Sequence, residues 1–310
     1  MQKISVIIPN YNHACFLEQR IDSVLNQTFD DIEVIILDDC SSDGSKKVIE
    51  KYKEHKKIFK IIYNETNSGN TFKQWQKGIE TAQGDWIWIA ESDDYAEKTF
   101  LEKAYQKSMN GNSGIVYCRS NIIDSSNNAI TLYNFSSMPD PVVFPLFGND
   151  FDMDGNEFIK DYMLKRNSVP NASAVIFKKD LVDFSVFDDI RKTKLFGDWL
   201  FWIHLLRKTR VSYINERLNY FRFHETTVRK HTQFDMTRIY EYMILIKYFE
   251  KERMPFYKEA LDAMVYQYNY GDVSGNRVSV KDNIKISMFV LQRNPLLLLK
   301  TWLRKKKSQK

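Results

Sequence analysis

Cysteine is scarce in this sequence, with only Cys15, Cys40 and Cys118 among 310 residues. The three are odd in number, far apart and in no metal-ligand spacing, which argues against both a disulfide framework and a zinc site. A reducing cytoplasm is the compartment that fits this usage best. We also expect no secretory signal, because the chain enters a strand without the basic, apolar and small-residue segments of such signals.

Long apolar runs are also missing. No stretch of about 18 uninterrupted apolar residues occurs, so a transmembrane helix is not expected. Proline and glycine are few, at 7 and 11 residues, and there is no low-complexity tract. With 43% hydrophobic and 27% charged residues, the composition is that of a globular protein long enough to bury a large core.

Acidic residues are absent from the last eleven positions, which carry six positive charges. The formal net charge of +5 therefore belongs to this end, and the rest of the chain is close to neutral. Apolar residues at 296–299 precede the basic ones, so we predict that residues 296–310 lie on an anionic membrane surface. The alternative is a disordered, solubilising end. A nucleic-acid partner is not expected, because the basic residues lie in one tail and not along a groove.

Strands and helices alternate over roughly the first 95 residues. Nearly continuous apolar runs at residues 4–8, 32–37, 59–63 and 86–90 are separated by segments with helical spacing. Runs that are apolar throughout are typical of parallel strands covered by helices on both faces. We therefore predict an α/β fold with a doubly wound, mostly parallel sheet. From about Gln233 the pattern indicates helices only.

The fourth strand ends in a cluster of acids, Glu91-Ser92-Asp93-Asp94. Ligands of an open parallel sheet collect beyond the carboxyl ends of its strands. Three carboxylates within four residues repel one another unless a cation lies between them, and Mg²⁺ often binds through one or two carboxylates plus substrate phosphates. The cluster predicts a metal and a phosphorylated ligand. The alternative is a solvated turn that caps the next helix.

Polar turns also follow the first and second strands. Pro9 and Tyr11 offer flat faces to a pyrimidine ring, and the Asp39 carboxylate can accept the N3 hydrogen of such a ring. The alternative for Asp39 is a turn or helix cap. We predict a structural role for Asp38, with hydrogen bonds from loop amides.

Taken together, these motifs resemble the inverting GT-A glycosyltransferases of family 2. Four segments are similar to family motifs in the same order: residues 5–12, 37–43, 90–94, and Gly197-Asp198-Trp199 before a helix. The resemblance covers about residues 1–226 and implies a GT-A domain there, followed by a helical region at 227–295 and the basic amphipathic tail at 296–310. It also implies a Mn²⁺ or Mg²⁺ cofactor and a nucleotide-sugar donor, with a UDP-sugar expected.

The resemblance implies roles at individual positions. Asp93 is the expected metal ligand, and Asp198 the expected base for the acceptor hydroxyl. Glu91 stands where the family usually has aspartate, and Gly197 where it commonly has glutamate. For Asp198 the alternative is the N-cap of the helix that follows, and for Asp94 a helix cap competes with metal binding.

The remaining site residues are assigned in the same way. The nucleotide-binding group is Pro9, Tyr11, Asp39, Lys73, Glu91 and Ser92; the metal ligands are Asp93 and His224; and Asn171, Trp199 and Arg222 are expected to contact the sugars or the diphosphate. Arg222 and His224 alternate along a strand and so share a face. Arg229 and Lys230 are expected to close over the phosphates. Alternatives remain open: a solvated helix face for Lys73, a turn for Asn171 and an ordinary polar position for His224.

The sequence therefore predicts a metal-dependent hexosyl- or N-acetylhexosaminyl-type transferase with a nucleotide-sugar donor. The expected acceptor is a glycan or a polyprenyl-linked intermediate in the synthesis of a bacterial surface polysaccharide. The enzyme is expected in the cytoplasm, at the inner face of the membrane. Two rival functions remain. A nucleotidyltransferase is disfavoured, because such enzymes usually have a glycine-rich loop after the first strand, where this chain has none. The second rival function is that of a module that binds a nucleotide sugar without catalysis.

Overall fold

The computed structural model describes residues 3–130, 145–224, 236–270 and 279–297. The chain divides into two compact units, Met1–Lys192 with Gly197–Glu225, and Thr193–Phe196 with Thr226–Lys310. Arg229, Lys230 and most of the predicted tail lie outside the described residues. In the described part, no helix is both long enough and apolar enough to cross a bilayer.

The described helices and strands follow the predicted alternation. The first unit contains β1 (Ile4–Asn10), α1 (Ala14–Leu25), β2 (Ile32–Asp38), α2 (Ser45–Glu50), β3 (Ile58–Tyr63), α3 (Thr71–Thr81), β4 (Trp86–Ile89), β5 (Tyr95–Ala96), α4 (Phe100–Gly111), β6 (Ile115–Ile123), β7 (Phe151–Asp154), α5 (Gly155–Phe158), β8 (Val175–Lys178), α6 (Phe187–Ile190), α7 (Gly197–Leu206) and β9 (Arg210–Arg222). The second contains α8 (Met236–Lys251), α9 (Tyr257–Tyr270) and α10 (Val280–Leu291).

Over the described ranges the strands form one sheet in the order β3-β2-β1-β4-β8-β6-β9-β5, with β7 beside β9. The four N-terminal strands β3, β2, β1 and β4 are parallel, as predicted. β8 runs antiparallel to both of its neighbours, β4 and β6. The predicted α/β fold, with a mostly parallel N-terminal sheet and a helical C-terminal region, is confirmed.

Helices cover both faces of the parallel strands. Every residue of β1, β2 and β4 is buried, which explains their mostly apolar sequences. Leu17 of α1 and Phe100 of α4 pack with Trp88 in one core. On the other face α3 lies very close to the sheet, because a Cβ added to Gly78 would collide with Ile7. The strand ends therefore project from a rigid layer.

The last strand is much longer than predicted. The sequence indicates a strand at residues 211–214 and a separate strand-like alternation at 220–224. In the structure β9 joins the two, pairing with β6 on both sides of Asn215 and Glu216, which have no partner in β6. The register shifts between Cys118 and Ser120. The extension brings the residues after β9 back to the end of β4.

In the second unit, α10 begins after a side-chain cap. Ser279 is the N-cap, and its hydroxyl accepts a hydrogen bond from the Asp282 amide at 3.1 Å. The Asp282 carboxylate accepts the Ser279 hydroxyl at 2.7 Å. The cap satisfies one of the amides that the first turn of a helix leaves without a partner.

Candidate active site

The carboxyl ends of β1, β2 and β4 lie side by side. Their register pairs Asn10 with Asp38 and Ile7 with Ile89. The Asp39 amide donates to the Asn10 carbonyl at 2.9 Å just beyond the paired strands. The polar turns that the sequence places after each strand therefore meet at one edge of the sheet.

The loops after β1 and β2 are bonded to each other. Asn12, in the left-handed region at φ 55°, accepts the Ser42 amide at 2.8 Å and donates its own amide to Ser41 Oγ at 2.9 Å. The Asp38 carboxylate accepts Asn10 Nδ2 at 2.7 Å and the Ser41 amide at 3.0 Å. The predicted structural role of Asp38 is confirmed.

Asp39 is buried, with 5% of its surface exposed. Its Oδ1 accepts Asn64 Nδ2 at 2.7 Å, the Ser68 amide at 2.9 Å and Gln74 Nε2 at 3.0 Å. Its Oδ2 accepts Ser68 Oγ at 2.7 Å. A carboxylate offers about four lone-pair directions, two on each oxygen. Oδ1 already accepts three donors, so Oδ2 is the oxygen that can accept a further hydrogen bond from a nucleobase.

The other predicted nucleotide-binding residues lie around the same loops. Pro9 is buried within β1, and Tyr11 follows the strand with 46% of its surface exposed. Lys73 donates Nζ to the Ser68 carbonyl at 2.9 Å. Ser68 therefore joins Lys73 to Asp39, and the exposed Tyr11 ring stands at the end of the neighbouring strand.

Two buried arginines hold the acidic turn after β4 from behind. Arg20 Nε donates to the Glu91 carbonyl at 2.8 Å, and Arg222 Nε donates to the Asp93 carbonyl at 2.8 Å. Burial lowers the Arg20 pKa to about 10, against the opposing effect of the nearby carboxylates Asp94, Asp93 and Glu91. Both guanidinium groups thus fix the turn and offset part of its negative charge.

Asp93 lies next to two histidines. Its Oδ2 is 3.0 Å from His224 Nε2, while His13 Nδ1 is 2.8 Å from the hydroxyl of the buried Ser92. One ligand atom from each of Asp93, His13 and His224 lies within 4.8 Å of the others. The Asp93 side chain is 21% exposed and that of His224 is 8% exposed. We call these three residues the His-Asp-His cluster.

The electrostatics of the His-Asp-His cluster favour the binding of a cation. Burial lowers the pKa of His13, against the effect of Asp93. Burial acts to raise the pKa of Asp93, but the His224 hydrogen bond and the positive charge of the imidazoles in their protonated form outweigh it and lower that pKa. A cation would supply this positive charge in place of the protons, since a neutral imidazole and an ionised carboxylate are the forms that bind metals.

The donor types decide which cations fit. Two imidazoles and one carboxylate match a first-row transition cation, because Mg²⁺ prefers oxygen ligands and near-ideal octahedral geometry. Ser92, bonded to a His13 ring nitrogen, would orient that ring as outer-shell partners of metal-binding histidines do. Of the two predicted cofactors, Mn²⁺ therefore fits this donor set better than Mg²⁺.

Glu91 is tied to α3. Trp75 Nε1 donates to Glu91 Oε1 at 2.7 Å. Burial, and then the charge of Asp93, raise the Glu91 pKa to about 8. In the absence of a cation, Glu91 therefore carries a proton at neutral pH, and one of its oxygens is committed to the indole.

Asp94 joins three segments of the site. Its Oδ2 accepts Asn171 Nδ2 at 3.0 Å, and its Oδ1 accepts the Arg222 amide at 2.8 Å. Burial, with the charge of Asp93, raises its pKa to about 6. The alternative that Asp94 caps the next helix is wrong, because α4 begins at Phe100 after Thr99 as N-cap.

Asp198 lies in the first turn of α7. Its Oδ1 accepts the Trp199 amide at 2.7 Å, and its Oδ2 accepts Asn167 Nδ2 at 3.1 Å. Asn167 is four residues from Asn171, the partner of Asp94, so the Cα atoms of the two asparagines are at most about 14 Å apart. The loop at 167–171 therefore connects the proposed base to the acidic turn.

Two predicted ligand-binding side chains are engaged with the protein itself. Trp199 is 3% exposed and donates Nε1 to the Met163 carbonyl at 2.9 Å. Arg222 is 1% exposed, donates Nη1 and Nη2 to Asp124 and Gln19 at 2.9 Å each, and stacks over Phe16. Their observed contacts are those of packing and support, and we assign no ligand contact to either.

Sequence reasoning did not assign His13, Arg20 or Trp75 to the site. His13 directly follows the polar turn after β1, and this position is the one available signal, since the turns after the parallel strands β1, β2 and β4 meet at the same edge. Arg20 and Trp75 give no local signal. Each lies on a helix that reads as amphipathic, and only tertiary packing places it against Glu91.

Comparison with known proteins identifies the family. Residues 5–191 match the family model described as Glycosyl transferase family 2. An uncharacterised glycosyltransferase of Haemophilus influenzae is 26% identical over 271 residues, which are 87% of this chain and 96% of that protein. The GalNAc(5)-diNAcBac-PP-undecaprenol beta-1,3-glucosyltransferase of Campylobacter jejuni is 26% identical over 256 residues, or 81% of this chain and 75% of that protein.

A solved structure agrees with the observed fold. The crystal structure of S. aureus TarS 1-349 in complex with UDP superposes with a TM-score of 0.68 at 17% identity, over 95% of this chain and 82% of that one. This likeness shows a shared fold. Since the family model spans more than half of the sequence and its strand-end motifs meet at one site, the chain belongs to glycosyl transferase family 2.

Proposed function

We propose that this chain is a metal-dependent, inverting transferase that moves a hexosyl or N-acetylhexosaminyl group from a UDP-sugar to a glycan or polyprenyl-linked acceptor. The observation that carries the proposal is the His-Asp-His cluster directly beyond β4. UDP bound to S. aureus TarS and the lipid-linked substrate in the name of the Campylobacter relative support it. The product would be a bacterial surface polysaccharide.

The donor would bind across the ends of β1, β2 and β4. Tyr11 and the free capacity of Asp39 Oδ2 suit the uracil ring, and Lys73 is bonded to Ser68, the residue whose hydroxyl donates to Asp39 Oδ2. Asp93, His13 and His224 would hold the cation, which supplies positive charge to stabilise the departing diphosphate. Ser92 and the two buried arginines keep these ligands in place.

Asp198 would act as the base. In an inverting transfer, the acceptor hydroxyl attacks the anomeric carbon from the face opposite the diphosphate and loses its proton as it does so. Asn167 donates to Asp198 Oδ2 and the Trp199 amide to Oδ1, so the carboxylate is held in one orientation. Asn171 connects the same loop to Asp94 and so to the metal side.

The proposed location is the cytoplasm at the inner face of the cell membrane. The scarce cysteines favour a reducing compartment. The six basic residues at the C-terminus would be attracted to anionic lipid, where a polyprenyl-linked acceptor would be met.

The experiment that tests the function is a turnover assay with Asp198→Asn. Wild-type protein with Mn²⁺ is screened against UDP-sugars for sugar transfer to a lipid-linked or glycan acceptor. Asp198→Asn should lower kcat by about 10²-fold or more, the range of general base catalysis, while UDP still binds with wild-type affinity. Asp30→Asn, whose side chain is 93% exposed, serves as the matched control and should transfer normally.

Three results would contradict the proposal. Transfer at the wild-type rate by Asp198→Asn would show that Asp198 is not the base. UDP-sugar binding without transfer or hydrolysis by the wild type would indicate a binding module. Formation of a nucleotide sugar from UTP and a sugar phosphate would indicate a nucleotidyltransferase.

A further inference from the structure

Helix α10 has one face docked within the second unit. Ile286, Phe289 and Val290 are buried on this face. Asp282 accepts a hydrogen bond from Tyr240 of α8, and Arg293, just past the helix, pairs with Glu250 of α8 at 2.8 Å. These contacts set the rotation of α10 about its axis.

The opposite face of α10 is apolar and exposed. Val280, Ile284, Met288 and Leu291 are 76%, 54%, 56% and 54% exposed. At 100° per residue, spacings of four, four and three residues keep these side chains within about 80° of the helix circumference. A continuous apolar stripe is unusual on a soluble surface and marks an interaction site. We call these four residues the α10 stripe.

Charge around the α10 stripe selects the kind of partner. Lys281 is exposed beside it, whereas Asp282 and Lys285 are turned to Tyr240 on the docked face, with Lys285 Nζ 3.9 Å from the centre of the Tyr240 ring. Beyond the helix, Leu296 is 65% exposed, and the sequence continues through more leucines and a tryptophan to six positive charges without an acid. A second copy of this chain would bring like charges together, whereas an anionic lipid surface matches both the apolar and the basic parts.

We propose that the α10 stripe lies in the interfacial layer of an anionic lipid bilayer. The four side chains enter the boundary between headgroups and acyl chains, as the apolar faces of amphipathic helices do. Lys281 reaches the headgroups, and the basic residues that follow add electrostatic attraction. The proposal deepens the membrane location put forward above, and it does not depend on transferase activity.

The test is co-sedimentation of the full chain with vesicles of phosphatidylcholine alone or mixed with phosphatidylglycerol. Wild-type protein should bind the mixed vesicles. The triple variant Ile284→Ser, Met288→Ser, Leu291→Ser should bind about tenfold or more weakly at an unchanged Tm. Met109→Ser, a residue 62% exposed on α4, removes a comparable apolar side chain elsewhere and should bind as wild type does.

A second variant guards against loss of binding through misfolding. Ser287 is exposed next to the α10 stripe, so Ser287→Leu widens it and should strengthen binding to the mixed vesicles several-fold. Unfolding of the variant would not explain tighter vesicle binding if its Tm equals that of the wild type.

Several outcomes would overturn the proposal. Unchanged vesicle binding of the triple variant would mean that the basic tail binds alone. A lower Tm with unchanged vesicle binding would mean that other parts of the chain cover the stripe. A wild-type dimer that the triple variant abolishes, without vesicle binding, would assign the stripe to a second copy. Retention of vesicle binding by Asp198→Asn, in contrast, is expected, because failure of the transferase proposal leaves this one intact.

Discussion

At the scale of single residues, the acidic turn after β4 concentrates charge in a small buried volume. Glu91, Asp93 and Asp94 lie together, and the two arginines behind them are themselves buried. The protein divides the three carboxylates by environment: the pKa of Asp93 is lowered, while those of Asp94 and Glu91 are raised to about 6 and about 8. Asp93 is thus the carboxylate prepared for a cation.

Glu91 makes the stability of the cation-free protein fall as pH rises. The folded pKa of this carboxyl is raised from 4.5 to about 8, so the folded protein holds the proton more tightly than the unfolded chain does. The contribution of Glu91 to the free energy of unfolding is therefore fully present below the unfolded pKa and is lost as pH rises through the folded pKa. The loss is about 1.4 kcal/mol per pH unit in that window. We expect the free energy of unfolding, measured with EDTA, to fall between pH 6 and pH 8, and Glu91→Gln to flatten this fall.

The control for this prediction is Glu65→Gln, an exposed glutamate whose replacement should leave the pH dependence as in the wild type. An equally steep fall in Glu91→Gln would show that another group is responsible.

The second residue-scale prediction concerns His13. If His13 is a ligand, His13→Ala should weaken Mn²⁺ binding about tenfold or more and Mg²⁺ binding far less, because Mg²⁺ makes little use of imidazole. Electron paramagnetic resonance of free Mn²⁺ measures the first affinity, and competition by Mg²⁺ measures the second. His55→Ala, outside the His-Asp-His cluster, is the matched control. Equal losses for both metals would refute a ligand role for His13.

At the scale of elements, a buried glutamate connects three strands at the end opposite the site. Glu33 of β2 accepts Ser5 Oγ of β1 and the Gln83 amide before β4, each at 2.6 Å, and pairs with Lys3 at 2.9 Å. Burial acts to raise the pKa of Glu33, but these hydrogen bonds outweigh it and lower that pKa. The network fixes the amino ends of the parallel strands.

Glu33→Ala should lower the free energy of unfolding by about 2–4 kcal/mol, because it leaves buried donors without an acceptor. Since the folded pKa of Glu33 is lowered, its stabilisation is present above 4.5 and is lost as pH falls through the folded value. Urea unfolding at neutral and acid pH measures both effects. Glu54→Ala, an exposed glutamate, should change stability little. A neutral effect of Glu33→Ala would contradict the network.

The elements also show how far local pattern predicts structure. β1, β2 and β4 are predicted within one or two residues, because burial on both faces makes them mostly apolar. β9 is predicted only in two separate pieces, because Asn215 and Glu216 at its centre lie outside the ladder with β6 and are bonded to Asp150 and Lys103 instead. Such long-range pairing leaves no local signal.

At the scale of the whole molecule, metal and nucleotide should stabilise the fold together. A ligand that binds only the folded state adds about 2.7 kcal/mol at one hundred times its Kd. If Asp93, His13 and His224 hold the cation against the diphosphate, UDP with Mn²⁺ should raise Tm more than the two separate shifts combined. Differential scanning fluorimetry measures this, with EDTA to reverse it and Asp93→Asn to abolish it. A UDP shift that is the same in EDTA would contradict the shared site.

The α/β class, the parallel strands, the family resemblance and the positions of the polar strand-end turns follow from the amino-acid pattern alone. They do so because burial on both faces and turn chemistry are local requirements that leave a readable pattern. Which side chains meet depends on the folded molecule: it brings His13 to Asp93 and His224, places Trp75 and Arg20 against Glu91, and turns Trp199 and Arg222 to supporting contacts. These contacts join residues that are distant in sequence, so their geometry depends on how the helices pack on the sheet.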